Sequence, residues 1–525
     1  VNSSGLIEKE RSNQILQSNS FDTTWTTSNA TLTGGQSGYD GSSDAWELNA
    51  TASAGYLEQS FSAVSGVHTI SIYAKQGTLG FVMIYARDSA SSNDAEFYFD
   101  LATGVVGSTI GSAVITLKIT DAGGGWYRCE GVSSGGFNQY RIYASSVDAS
   151  VTGTGTIYIQ DAQLESGLVA TAPAIETTTA AVYEGITDNL PRLDYHNPDS
   201  PTPNSCPSLL LEPSRTNLYT HSEYSGAWVK TNWTTTDNYA ISPEGVQNAF
   251  RAVSSDTSGV LYVSATGTTG QDNTLSVWAK SNTGGDQKFR FFANGNTTTS
   301  SDFTATTEWQ RFDYPHNCTN VTAGIKGASS ELSDILFYGF QQEAGSYPTS
   351  YIPTYGTSAS RADDSCEVTG ASDLIGETEG TIAGEFTFKS TEGTNRLFSI
   401  SGADWNTIGH IRFDMISLRP QAKIRSTGAD IAEVIGTEDI AIGSVVKFAV
   451  VYTSTTFKMF VNGAQIGSTD TLSGSLPSPM NEIVVDALGG AFSSPTQNNQ
   501  LNPYKQALVF KTALTDAECI ALTTI

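Results

Sequence analysis

Charge is scarce in this chain: Asp, Glu, Lys and Arg make up only 15% of its 525 residues, well under the roughly 25% of an average soluble protein. Long salt-bridged helices are thereby excluded as the main architecture. Cysteine is rarer still. Cys129, Cys206, Cys318, Cys366 and Cys519 stand far apart, no two form a CxxC pair and their number is odd, so neither a disulfide framework nor a zinc site is indicated. Buried free thiols, made in a reducing cytosol, are the expected state. No apolar run approaches the ~20 residues of a membrane span, and no secretory leader is visible. The histidines are scattered without HExxH spacing, and neither a G-x-S-x-G elbow nor a phosphate-binding loop occurs. Basic residues are few as well. With 27 Lys and Arg against 53 Asp and Glu the net charge is −26, the wrong sign for nucleic acid or an anionic membrane surface.

Gly, Ser, Thr and Asn fill the space left by charge, and aromatics reach 10%. That mixture favours short strands joined by many turns. The length exceeds one hydrophobic core and predicts about three domains.

A duplication organises the first two thirds. Arg11-Ser12-Asn13 with Ser18 and Trp25 returns as Arg215-Thr216-Asn217 with Ser222 and Trp228. Thr69-Ile70-Ser71-Ile72-Tyr73-Ala74-Lys75 returns as Thr274-Leu275-Ser276-Val277-Trp278-Ala279-Lys280, Trp126-Tyr127-Arg128 as Trp309-Gln310-Arg311, and Gln163-Leu164-Glu165 as Gln341-Gln342-Glu343. Blocks in one order at this spacing indicate a duplicated domain, not a solenoid. In both copies aliphatic residues alternate with polar and aromatic ones, the pattern of a half-buried sandwich strand. The expected architecture is therefore all-β, a multi-domain chain of antiparallel β-sandwiches. It comprises a first sandwich over residues 1–167, a Pro-rich connector over 168–215, a second sandwich over 216–360 and a third over 366–525. In the third, Phe457, Met459 and Val461 lead to Asn462-Gly463, a tight-hairpin signal. Thr515-Asp516-Ala517-Glu518 opens a short closing helix.

Three resemblances sit on these residues. The repeated halves resemble carbohydrate-binding jelly rolls, through Asn13 to Phe21, the Ser71 to Lys75 strand and the closing Ile157 to Glu165. Pro191-Arg192-Leu193-Asp194-Tyr195, then Leu209-Leu210-Leu211-Glu212-Pro213-Ser214-Arg215-Thr216-Asn217, resembles a connector common in phage virion proteins. Its customary companions are present too, in Tyr347-Pro348-Thr349-Ser350-Tyr351-Ile352-Pro353-Thr354 and Ser360-Arg361-Ala362-Asp363. This likeness implies a tail-fibre, head-fibre or capsid-decoration protein, assembled in the bacterial cytoplasm and displayed on the virion surface. Residues 366–525 resemble a laminin-G or concanavalin-A-like lectin sandwich, through Gly380-Thr381-Ile382 and Ala507-Leu508-Val509-Phe510.

Sugar recognition by a sandwich needs an aromatic platform flanked by polar groups. Tyr73 with Lys75, and Trp278 with Lys280, occupy equivalent strand positions and are the candidate glycan-binding residues. Packing inside the sandwich is the competing role for both rings. The jelly-roll resemblance implies a structural calcium held by Asp22 and Asp161, whereas Gly339 replaces the second copy's acid. Asp94 and Glu96 share one strand face as a glycosidase pair would, but with 53 acids in the chain such pairs arise by chance. The expected function is thus non-enzymatic binding of host-surface or environmental polysaccharide by a virion protein. Other virion proteins are its expected partners, with a homotrimer in view, and neither nucleic acid nor membrane insertion is involved. The alternatives are a purely structural capsid cement and the glycan-binding part of a secreted bacterial polysaccharidase.

Overall fold

The computed structural model describes residues 1–90, 94–184, 190–196, 202–264, 270–389, 395–404, 407–485 and 502–525. The protein is all-β, with antiparallel sheets stacked in pairs and, among the described residues, one short α-helix at Asp516–Thr523. Among the described residues no helix is long and apolar enough to cross a membrane.

In the first sandwich one sheet runs in the order Val114–Gly123, Trp126–Ser133, His68–Gln76, Gly155–Ser166, Ala45–Ala50, Ala30–Gln36. The facing sheet runs Thr26–Ser28, Tyr56–Val64, Phe137–Ser145, Phe81–Arg87, Ala95–Asp100, Val105–Ile110. Ile70, Ile72 and Ala74 from one sheet meet Val82, Ile84, Phe97 and Ile142 from the other. Alternation places these residues inward because successive side chains on a strand point to opposite faces. The second sandwich repeats the plan, and its core brings Leu275, Val277 and Ala279 against Phe289, Phe291 and Ile325.

The repeat is structural down to single hydrogen bonds. Asn13 donates through Nδ2 to the carbonyls of Ala162 (3.1 Å) and Ile175 (2.7 Å) and accepts from the Ile15 and Leu164 amides. Asn217 does the same with Phe340 (3.0 Å), Ile352 (2.8 Å), Tyr219 and Gln342. Both asparagines are fully buried. Each thereby ties the opening strand to the last long strand and to the segment that follows it. Asn217→Ala would leave several buried backbone groups unpaired, at about 1–3 kcal/mol each. The expected outcome is a loss of at least ~2 kcal/mol, seen as a lowered urea midpoint for the second sandwich.

The boundaries differ from those the sequence predicts. Val182–Glu184 pairs with Arg11–Asn13, as Ala359–Arg361 pairs with Arg215–Asn217. The first sandwich therefore runs past residue 167 to its own closing strand. The predicted connector is not a free spacer either. Leu193–Asp194 and Ser208–Leu209 form the edge of the third sandwich's seven-stranded sheet, where Leu209 pairs with Tyr504. Proline density suggested a stiff linker, but the strand pairing comes from residues on either side of it. Residues 197–201 of that stretch lie outside the described residues. The second sandwich is consequently inserted between the first two strands of the third sandwich and the rest of it.

Local signals elsewhere hold. Asn462 and Gly463 have φ of 48° and 84° at the predicted hairpin. Thr515 and Glu518 make a reciprocal capping box at the helix start. Among the thiols, Cys129, Cys318 and Cys519 are buried, Cys366 is half-buried and Cys206 is exposed.

Candidate functional site, a tyrosine-rich sheet face

The structure does not offer Tyr73 and Trp278 as open platforms. Tyr73 is 7% exposed and stacks on Tyr39 at 3.6 Å between ring centroids, with the Arg128 guanidinium 5.3 Å from its centroid. Trp278 is half-buried against Tyr351 and Tyr338, with Arg311 4.4 Å from its ring centroid. In both copies the chain after the last long strand folds back over this sheet, and in the first the loop that carries Tyr39 also covers Tyr73. The folded-back chain is anchored by Thr171 on Glu165 in the first copy and Thr349 on Glu343 in the second. Lys75 and Lys280 are half-buried on the same strands. The rings are thus a second packing layer, and the Arg of the Trp-x-Arg block caps each one.

Asp161 and Gly339 occupy the same bulge in their long strands, at φ 53° and 67°. A left-handed residue is needed there, which Gly supplies freely and Asp tolerates. One Asp161 oxygen accepts from the Tyr39 hydroxyl at 2.9 Å, and Oδ1 is buried without a hydrogen bond. Burial, with Glu176, Asp44 and Asp40 nearby, pushes this carboxyl up to about 7. Asp22 is exposed on the turn after Phe21. Calcium takes six to eight oxygens, by rough count. No group of three or more His, Cys, Asp or Glu side chains converges among the described residues. The Asp22 and Asp161 pair does not fit a calcium site.

The opposite sheet of the first sandwich presents a different surface. On its outward side, cross-strand registers align Tyr56, Tyr143, Met83 and Tyr98 in one row. Glu58, Arg141, Tyr85 and Glu96 form the next, and Ser60, Gln139 and Arg87 a third. With strands about 4.8 Å apart, a four-residue row spans about 14 Å, the length of a short oligosaccharide. Tyr56 and Tyr143 lie 5.0 Å apart between centroids, and Arg141 sits 4.6 Å over the Tyr56 ring. Tyr56 and Tyr85 are half-buried, whereas Tyr143, Tyr98 and Met83 form the floor between them.

Polar contacts hold this face rigid. Arg141 pairs with Glu58 and donates to the Tyr143 hydroxyl (3.3 Å) and to Gln139 Oε1 (3.2 Å). Arg87 donates to the same Gln139 oxygen at 2.6 Å. The Tyr85 hydroxyl donates to Asp94 at 2.5 Å and the Tyr98 hydroxyl to Glu96 at 2.9 Å. Burial and these carboxylate acceptors push both phenols up, so they stay protonated donors. Asp94 and Glu96 do share one side of the sheet, but each is committed to a tyrosine. Two arginines against Glu58, Asp94 and Glu96 leave the face slightly negative, which suits neutral hydroxyl-rich ligands better than anions.

The signal for this face is present in the sequence. Tyr-x-Glu, Met-x-Tyr-x-Arg, Glu-x-Tyr and Gln-x-Arg-x-Tyr alternate with aliphatic residues on adjacent strands. Both phases of these strands are apolar enough to read as inward, so alternation by itself does not say which one points out. The second copy lacks the grid: Val260, Lys326 and Arg290 stand where the first has Tyr56, Tyr143 and Met83, and Tyr262, Gly324 and Phe292 where it has Glu58, Arg141 and Tyr85.

No family model matches this chain, and no curated protein matches it. Among solved structures, Ruminococcus gnavus IT-sialidase CBM40 bound to alpha2,3 sialyllactose is similar at 15% identity and TM-score 0.26, over 31% of this chain and 97% of that one. NanB sialidase from Streptococcus pneumoniae is similar at 16% identity and TM-score 0.25, over 30% of this chain and 27% of that one. A heptameric SAP-like pentraxin from Limulus polyphemus is similar at 15% identity and TM-score 0.24, over 29% of this chain and 72% of that one.

Proposed function

We propose that this chain is a non-enzymatic glycan-binding protein displayed on the surface of a bacteriophage particle, as a fibre or capsid decoration. The observation that carries the binding part is the tyrosine and carboxylate grid on the first sandwich. Tyr56 and Tyr85 offer rings for pyranose C–H faces, while Glu58, Gln139 and Arg141 sit in place for hydroxyls. The virion part rests on the resemblance of the 191–217 segment and its companions to phage connectors. Weak sites repeated over many copies would act by avidity. The capture of Asp94 and Glu96 by tyrosine hydroxyls supports binding over hydrolysis, since neither carboxyl is poised as a free acid or base.

The test is a glycan-array screen of the full chain beside Tyr56→Ala/Tyr85→Ala and Tyr73→Ala. Specific binding weakened at least tenfold, about 1.4 kcal/mol, in the double variant but retained in Tyr73→Ala is the expected outcome. A folded protein that binds no glycan would sink the reading and leave structural decoration in its place. Display is tested separately, by antibody labelling of purified virions.

A further inference from the structure

The first and second sandwiches meet along an apolar seam of Val67, Val132 and Leu168 with Ile115, Tyr224 and Tyr355. Beside this seam lies a cleft of about 310 Å³. One wall is Val114, Ile115 and Thr116; the other is Tyr224 with Thr236, Asp237 and Asn238. Its volume is at the lower end of the roughly 300–1,000 Å³ of small-molecule sites.

Both strands lining the cleft are sheet edges. Val114–Gly123 is the outermost strand of its six-stranded sheet and Trp233–Ala240 that of its five-stranded sheet. Each is bulged at the lining residues. Register shifts between Val114 and Thr116 on one side, and between Thr236 and Ala240 on the other. Bulges re-aim side chains and break ladder pairing, and they recur beside binding sites. Here Asn238 adopts φ 50°. Its amide donates to the Leu168 carbonyl across the seam at 3.3 Å, and its Oδ1 is buried without a hydrogen-bond partner. Asp237 Oδ1 accepts from the Ser225 amide (2.8 Å) and hydroxyl (2.6 Å). The Tyr224 ring occupies the space over Gly226 that any side chain there would fill.

The duplication supplies an internal comparison. In the first copy the equivalent strand, Ala30–Gln36, bulges between Thr33 and Gln36 at Gly34-Gly35. Trp46 packs directly against Gly34 there. The second copy places Asp237 and Asn238 at its bulge and leaves it open to the cleft.

We propose that this cleft is a second carbohydrate site, taking a neutral mono- or disaccharide-sized segment between the two repeats. An aromatic ring, two threonine hydroxyls and a carboxylate match a polyol that both donates and accepts. Asp237 and the lack of any Lys or Arg in the lining disfavour an anionic sugar. Because the lining comes from both sandwiches, an occupied cleft also fixes their relative orientation.

The experiment uses the full chain carrying Tyr56→Ala/Tyr85→Ala, which removes the tyrosine face and separates the two sites. Lactose, maltose and cellobiose are titrated by saturation-transfer NMR and calorimetry, with 3′-sialyllactose as the anionic control. At least one neutral disaccharide is expected to bind, at least tenfold more weakly once Tyr224→Ala is added. The cleft-filling Thr236→Trp, at an exposed edge position, is expected to abolish that binding without lowering the thermal midpoint. No binding by any neutral disaccharide, binding unmoved by both cleft variants, or equal binding of sialyllactose would overturn the proposal.

Discussion

Glu212→Ala is expected to loosen the junction between the second and third sandwiches at a cost of about 3–5 kcal/mol, the range for breaking a buried ion pair from one side. The Glu212 side chain is 1% exposed; its Oε2 accepts from Arg192 and is ion-paired with Arg361, each at 2.7 Å. Its Oε1 takes the Ser350 amide at 2.8 Å. Arg192 also reaches Asp364 at 2.6 Å, and Asp364 accepts the Glu212 amide at 2.9 Å. Removing the glutamate takes from Arg361 its paired carboxylate and leaves Arg192 with Asp364. Burial by itself would raise this carboxyl, but Arg361 and Arg192 hold it below the ordinary glutamate value. A depressed carboxyl stabilises the fold above its unfolded value, about 4.3, and that stabilisation is lost as pH falls through the folded value. Urea unfolding followed by tryptophan fluorescence should show the variant's deficit at pH 7 and a shrinking difference below pH ~4. An equal deficit at both pH values would refute the electrostatic account.

Lys9→Ala should have an effect of similar size, on the seam between the first and second sandwiches. Lys9 donates to Glu223 at 2.9 Å and to the Tyr355 hydroxyl at 2.8 Å, and is ion-paired with Glu244 at 3.0 Å. The side chains are 5% (Lys9), 1% (Glu223) and 6% (Glu244) exposed. Arg11 also pairs with Glu244, and Tyr338 donates to the same carboxylate at 3.0 Å. Without Lys9 the Glu223 charge keeps only hydrogen bonds from Asn248 and tyrosine hydroxyls. The loss is put at about 3–5 kcal/mol. It should appear as faster proteolysis and hydrogen exchange along residues 1–10 and the 242–246 turn. The internal hydrogen bonds of either sandwich should keep their protection. Unchanged exchange in both segments would show that the network does not hold the seam.

These two networks explain why some of the sequence could be read and some could not. The duplicated blocks are visible because Asn13 and Asn217, or Arg128 and Arg311, do one job in both copies. The all-β class follows from alternation around Ile72 and Val277, which burial alone enforces. Arg192, Glu212 and Arg361 stood out as a motif, but their spacing does not reveal that they converge on one carboxylate. Tyr73 and Trp278 were misleading for a related reason. Their strand position is legible, whereas what roofs them arrives from elsewhere: Tyr39 and residues 168–178 over Tyr73, and residues 346–354 over Trp278. The tyrosine face was hidden differently: on strands such as Phe81–Arg87 both alternating phases are apolar, and only the facing sheet decides which one turns inward.

The insertion of the second sandwich within the third bears on how the chain is made. A ribosome delivers Leu209 before it delivers the pairing residue Tyr504, 504 − 209 = 295 residues later. Synthesis at roughly 5–20 residues per second separates the two by about 15–60 s. The first and second sandwiches have all their own strands long before then. The edge strands at 193–194 and 208–209 can pair with each other, but must wait for the strand that carries Tyr504 beside an already folded neighbour. The ion network of Arg192, Glu212 and Arg361 closes as soon as residue 361 emerges, so it can hold those strands in place for the C-terminal segment. The last-made strand thus completes a sheet begun before the second sandwich existed.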